Sequence, residues 1–296
     1  MIDAILNYAF MRNALLAALL ASVVVGIVGT IAIEKRLISM SGGIAHASFG
    51  GIGLGYLIGI EPILGGIAFA VASSLLISKM PEKSKMKADT MTGILWAFGM
   101  ALGILFISMA PGYMPDMTSY LFGDILAVGN SSLFYMAVFS GVIGLLFVMF
   151  YNHLVLYLFD EEYAAARGIK VNYLQLLVYV ILPVGIIVLI KVVGIILAIA
   201  LLTVPVSIAK ILFKSIRNVI LFSMLFSFGF ALMGLVIAYY ANIPSGVSII
   251  ILSTLIYLGV VMTHRHNQWH HFDPVQCFAA FPFCQQDVTA QGSQVT

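Results

Sequence analysis

Charge is what this sequence has least of: Asp, Glu, Lys and Arg together make up 9% of its 296 residues, against 62% hydrophobic residues. A domain that folds in water carries about 25% charged residues, so most of this chain has lipid for its solvent. Fourteen basic and twelve acidic residues leave a net charge of +2, with no basic patch interleaved with aromatics, which excludes a nucleic-acid surface. Cysteine is nearly missing. Cys277 and Cys284 both fall near the C-terminus, so no disulfide framework runs through the apolar part. The sequence contains no His-Glu-x-x-His, no Gly-x-Ser-x-Gly and no Gly-x-x-x-x-Gly-Lys-Ser/Thr, the signatures of a membrane metalloprotease, a serine hydrolase and a nucleotide-binding loop. No catalytic residues are expected, and the chain is read as no enzyme.

Carboxylates at membrane depth are lacking too. Asp3, Glu34, Glu61, Glu82, Asp89, Asp116, Asp124, Asp160, Glu161, Glu162, Asp273 and Asp287 all sit near span ends, in loops or in the tail. A transporter driven by protons or sodium commonly needs an acid inside the bilayer, so their placement argues against secondary transport.

What the chain does have is long apolar runs, at a mean hydropathy of +1.10. Only a helix satisfies its own backbone polar groups in hydrocarbon, and about 20 residues cross the core. Cuts at charges, Pro and Asn leave nine stretches: 8–33, 38–59, 62–78, 91–110, 131–158, 172–190, 192–212, 217–240 and 244–263. The expected fold is an all-α polytopic membrane helix bundle of about 8–10 transmembrane helices. Lys191 alone separates the sixth stretch from the seventh, and the Gly- and Ser-rich 38–59 stretch is expected to be broken or partly re-entrant if it departs from a simple span. The first stretch is too long, and its flank too poor in basic residues, for a secretory signal, so it reads as a span.

The cations orient the bundle. With nine spans and the N-terminus outside, Lys35, Arg36, Lys79, Lys83, Lys85, Lys87, Arg167, Lys170, Lys210, Lys214, Arg217 and Arg265 all fall on the cytoplasmic side. Only Arg12 and Lys191 do not. Multi-pass residence in the cell membrane with a cytoplasmic C-terminus follows as the expectation.

His46 stands apart within Met40-Ser-Gly-Gly-Ile-Ala-His-Ala-Ser-Phe-Gly-Gly-Ile-Gly-Leu-Gly-Tyr56. Neutral imidazole is a common transition-metal ligand, yet a histidine between close-packed helices also serves as a packing group with a helix-helix hydrogen bond. Both readings stand. The glycines themselves fit close helix packing better than a direct role with substrate. His153, beside Tyr151 and Asn152, reads as interfacial, and the fifteen methionines as core filling.

The least membrane-like segment between two spans is Phe159-Asp-Glu-Glu-Tyr-Ala-Ala-Ala-Arg-Gly-Ile-Lys170. Acids Asp160, Glu161 and Glu162 at its start, alanines including Ala165, then Arg167 and a stop at Gly168 predict a short helix. It is either a solvated linker or a docking element for another subunit. This segment, with its Phe-Asp-x-x-x-Ala-x-x-x-Gly pattern, resembles the coupling helix of the metal-transport family of ABC permeases. Tyr120–Val128, Val192–Pro205, Gly234–Gly246 and the region around His46 are similar to that family in the same order, so the resemblance covers roughly residues 8–263.

The resemblance implies the membrane half of an ATP-driven importer of manganese, zinc or iron, usually a homodimer working with ABC ATPase subunits and an extracellular metal-binding protein. It implies a metal pathway near His46 and ATPase coupling through 159–170, with the divalent metal as substrate and no permanently bound cofactor. Many members carry aspartate four residues before that histidine; here the position is Gly42. Two rival readings are a self-sufficient channel or secondary metal transporter, and a receptor built around the tail.

The tail sets off a second region. Residues 1–263 are expected to form the transmembrane permease domain and 264–296 a polar, disordered tail. His264, His266, His270 and His271, followed by Cys277 and Cys284, supply zinc-type ligands, although the spacing fits no standard finger.

Overall fold

The computed structural model describes residues 8–79, 88–111, 123 and 125–270, the side chains of 88 and 265–270 excepted, and among these residues nine long apolar helices organise the fold. Contacts divide the chain into two units, Met1–Leu255 and Ile256–Thr296. The helices are α1 (Ala9–Glu34), α2 (Ile38–Ile58), α3 (Pro62–Ser78), α4 (Ala88–Met109), α5 (Asn130–Phe159), the short α6 (Glu161–Ala166), α7 (Val171–Val193), α8 (Ile195–Leu212), α9 (Ile216–Ala241) and α10 (Ser245–His270). No strand occurs among the described residues.

Seven of these helices are long and apolar enough to cross a membrane: α1, α4, α5, α7, α8, α9 and the Ser245–His264 part of α10. With α2 and α3 they match the nine stretches read from the sequence. Of the second unit, the described part is the continuation of α10, where the Thr263 hydroxyl donates to the carbonyls of Gly259 and Val260 at 3.0 and 2.9 Å.

Three local departures have physical causes. First, α2 is one unbroken helix, closed at Gly59 in the left-handed region. Its glycines do not interrupt it; they bring neighbours close. A Cβ on Gly43, Gly50 or Gly53 would meet Thr92, Gly99 or Gly103 of α4, and one on Gly51 would run into the Gly65 backbone of α3. Second, the sixth and seventh stretches divide at Gly194 and not at Lys191, which lies inside α7. Gly194 has φ 82° and ψ 167°, a region essentially reserved for glycine, so a single residue redirects the chain from α7 into α8. Third, α1 widens into a π-turn at Val25–Gly29, where the Thr30 hydroxyl donates to the Gly26 carbonyl at 2.6 Å. Gly26 and Gly29 let this stretch lie against α9 and α8.

One proline position shows how the bundle repairs its backbone. Pro183 inside α7 has no N–H for the carbonyl of Tyr179, four residues back. Ser74 of α3, itself buried, donates its hydroxyl to that carbonyl at 2.7 Å. In hydrocarbon no water is available for the same task.

Candidate functional site

Built upward from its residues, α6 is a short helix with both ends closed. Asp160 has extended backbone geometry and its Oδ1 accepts from the Tyr163 N–H at 2.9 Å, an N-cap that satisfies one of the helix's open donors. Glu161 and Glu162 follow in the first turn, at the positive end of the helix. At the other end Gly168 takes φ +80°; its N–H reaches the Ala165 carbonyl at 2.9 Å and the Ile169 N–H reaches Ala164 at 3.1 Å, completing a Schellman stop. Six residues cannot hold a helix by propensity alone, so these caps are what fix it.

Its faces differ. Ala164 is fully buried, while Glu161, Glu162, Tyr163, Ala165, Ala166 and Arg167 are exposed. Phe159 and Tyr163 leave 68% and 48% of their surface open, an aromatic pair beside acids and a cation. Arg167 Nε donates to the Tyr163 hydroxyl at 3.1 Å, so the two large exposed side chains are held together. Charged and aromatic groups on a fixed, solvent-facing helix can meet a partner's groove without first paying the entropy of ordering it.

The helix is tied to the bundle through Lys35, which the sequence reading counted only as an orienting charge. Lys35 Nζ donates to the Tyr157 carbonyl at 2.7 Å and to Glu161 at 2.5 Å, and lies 3.6 Å from the Tyr157 ring centre. Its side chain is 13% exposed, so the ammonium is largely withdrawn from water, while the Glu161 carboxylate it meets stays 54% exposed. The adjacent Glu34 pairs with Lys210 on α8 at 2.9 Å. Consecutive residues at the end of α1 thus grip α6 and α8. The tight Lys35-Arg36-Leu37 turn, with Arg36 at φ 56°, fixes their relative direction. On a separate contact Lys191 pairs with Glu61 at 2.6 Å, joining the end of α7 to the α2–α3 link.

His46 sits on α2, about 12 Å along the helix from Ile38 at 1.5 Å per residue. Its ring stacks on Trp96 of α4 at 4.4 Å between centroids and 9° between planes. Among the described residues its buried Nδ1 has no hydrogen-bond partner, so the packing-histidine reading lacks the helix-helix hydrogen bond at that atom. Gly42 lies one turn away, and a Cβ there would find only Ile199 Cδ1, at 4.0 Å. Trp96, which the sequence reading passed over, is 47% exposed. Trp96 is one turn before Gly99, and that spacing from a helix-contact glycine is the signal that marks it.

Among the described residues no group of three or more His, Cys, Asp and Glu gathers to hold a metal. The residues proposed for the pathway and those proposed for coupling are not brought together: His46 lies within α2, whereas Asp160, Glu161, Glu162, Ala165, Arg167 and Gly168 lie at and around α6. His153 is exposed on α5. His264 is exposed on α10; the side chains of His266 and His270, and all of His271, Cys277 and Cys284, lie outside the described residues. So do Tyr120–Phe122 and Asp124 of the 120–128 motif. The described Gly123, at φ +64°, packs on the carbonyl of Val193 and the amide of Gly194, so that motif meets the 192–205 motif at the α7–α8 turn.

Comparison with known proteins gives these features a family. The ABC 3 transport family matches over residues 7–264. The manganese import system permease protein ScaB of Streptococcus gordonii is 34% identical over 253 residues, 85% of this chain and 90% of its own. The manganese transport system membrane protein MntC of Listeria monocytogenes is 29% identical over 256 residues, 86% of this chain and 91% of its own. Among solved structures, PsaBC from Streptococcus pneumoniae in complex with Fab superimposes with a TM-score of 0.80 at 31% identity, over 88% of this chain and 93% of that one. The chain belongs to the ABC 3 transport family, as a multi-pass membrane permease component and not an enzyme.

Proposed function

We propose that this member of the ABC 3 transport family is the permease subunit of an ATP-driven importer for a divalent transition metal, drawn from manganese, zinc and iron. The relatives named as manganese permeases put manganese first. The observation that carries the coupling half is α6, capped at both ends, exposed along its charged and aromatic face and clamped to α1 through Lys35. A separate ABC ATPase docks there, and its closure on ATP pushes α6, the Glu34–Lys35 elbow and, through Lys210, α8. Ile199 of α8 is the side chain nearest a Cβ built at Gly42, so this movement reaches the helix of His46.

Metal, handed over by an extracellular binding protein, passes along α2 between two copies of the chain, with His46 a transient ligand whose weak hold favours release. The N-terminus lies outside and α6 inside, which puts Lys35, Arg167, Lys170 and Lys210 in the cytoplasm. The 264–296 tail extends from the permease domain on the cytoplasmic side.

The test reconstitutes the permease with its ATPase in vesicles and measures uptake of manganese, zinc and iron in competition. Replacing Glu162 with Lys and Arg167 with Glu lowers ATP-dependent uptake about ten-fold or more, the effect of losing roughly 1.4 kcal/mol of docking energy, while the complex's residual ATPase activity no longer responds to metal. Normal coupled uptake in that double variant rejects the docking role, and unchanged uptake in His46→Ala rejects the histidine's. Accumulation of metal by the chain without ATP or a partner establishes the rival secondary transporter.

A further inference from the structure

A groove of about 460 Å³ runs between α5 and α9, outside both candidate sites. Phe147, Val148 and Tyr151 line it from α5, Leu221 and Met224 from α9, and Arg217 stands in the first turn of α9. None of its lining residues belongs to α2 or α4, the helices of His46 and Trp96. Its volume is that of a small-molecule site, and its walls are the methyl, thioether and ring surfaces that take up a hydrocarbon chain.

Among the described residues no carboxylate pairs with Arg217; Glu34, on the α1 helix packed against α9, is engaged by Lys210. The first turn of α9 carries no acid, and Lys214 precedes it, so two cations add to the positive end of the helix. An arginine fork suits a phosphodiester in particular.

We propose that this groove binds an anionic phospholipid, one acyl chain along α5 and α9 and the phosphate on Arg217. An inorganic anion uses the charge and leaves the apolar walls empty; a zwitterionic lipid uses the walls and brings its own cation against Arg217. Only the anionic lipid satisfies both. The site rests on the membrane placement of α5 and α9 and not on the identity of the transported metal, so the two readings fail separately.

The test is native mass spectrometry of the full chain with its ATPase, titrated in micelles with phosphatidylglycerol and with phosphatidylcholine of the same chains. Wild type binds phosphatidylglycerol more tightly. Arg217→Gln weakens that binding roughly five-fold, the factor equivalent to about 1 kcal/mol per basic residue at an anionic lipid surface, and leaves phosphatidylcholine unchanged. Arg217→Lys keeps most of the preference, and Leu221→Trp, which fills the groove, lowers binding of both lipids. Equal binding of the two lipids by wild type, or an intact preference in Arg217→Gln, overturns the proposal. So does equal competition by glycerophosphate without acyl chains. Separation of permease copies by Leu221→Trp with lipid binding intact assigns the groove to a second copy and overturns it as well.

Discussion

Gly99→Ala is a one-methyl test of how α4 holds α2. The added Cβ would lie 2.5 Å from both the Cα and the carbonyl oxygen of Ala47 and 2.9 Å from its carbonyl carbon. Carbon contacts settle at about 3.5–4.0 Å, and no backbone atom can rotate aside as a side-chain tip can, so the helices must part by about 1 Å there. Overpacking of this kind costs about 1–3 kcal/mol. Trp96 is the preceding turn of the same helix, so the separation also opens its 4.4 Å stack on His46. In a Trp269→Phe background Trp96 is the one remaining tryptophan and its emission reports the stack. The expected result is a lowered melting temperature of the purified permease, altered Trp96 emission and reduced metal uptake. Gly93→Ala on the same helix is the control: a Cβ there meets nothing among the described residues within 4 Å, and alanine gains about 0.5–1 kcal/mol of helix propensity over glycine. If Gly99→Ala melts and fluoresces like Gly93→Ala, the seam does not hold α2 in the way argued.

Two further substitutions probe the turn and the pathway. Gly194→Ala, at φ 82° and ψ 167°, costs about 1–3 kcal/mol of backbone strain and lowers the melting temperature, whereas Gly129→Ala, with no atom of the described residues within 4 Å of the new Cβ, melts within a degree or so of wild type; equal melting of the two refutes the turn's demand for glycine. Gly42→Asp fits the open space one turn before His46 and places a carboxylate on the imidazole's face, so manganese binding measured by calorimetry tightens roughly ten-fold while release slows; unchanged affinity removes Gly42 and His46 from the path.

The helices were legible because hydrocarbon leaves the backbone few choices: the nine apolar runs have to be helices, and among the described residues they are. The α6 pattern was legible for a related reason, since Asp160 and Gly168 act within a few residues of their own positions in the chain. Hidden from the sequence were features whose cause lies in a distant partner. Nothing local distinguishes Gly194 from Gly185; the ψ of the former is set by where α8 must go, and Gly123 approaches it from seventy residues earlier in the chain. Lys35 looked like one orienting cation among twelve until Tyr157 and Glu161 folded against it.

The same distinction explains which charges matter. A lysine that merely faces the cytoplasm keeps its water, and an exposed ion pair contributes at most about 1 kcal/mol. Lys35 is mostly withdrawn from water, and a carbonyl, a carboxylate and a ring face take the place of its hydration. Losing Glu161 leaves that ammonium with only the Tyr157 carbonyl and ring face where water is scarce, although the carboxylate end of the pair is itself open to solvent and screened by it. Glu34 next to it reaches Lys210 through a pair of similar exposure, so the two grips of the elbow differ by the carbonyl and the ring face that Lys35 also engages and not by access to water.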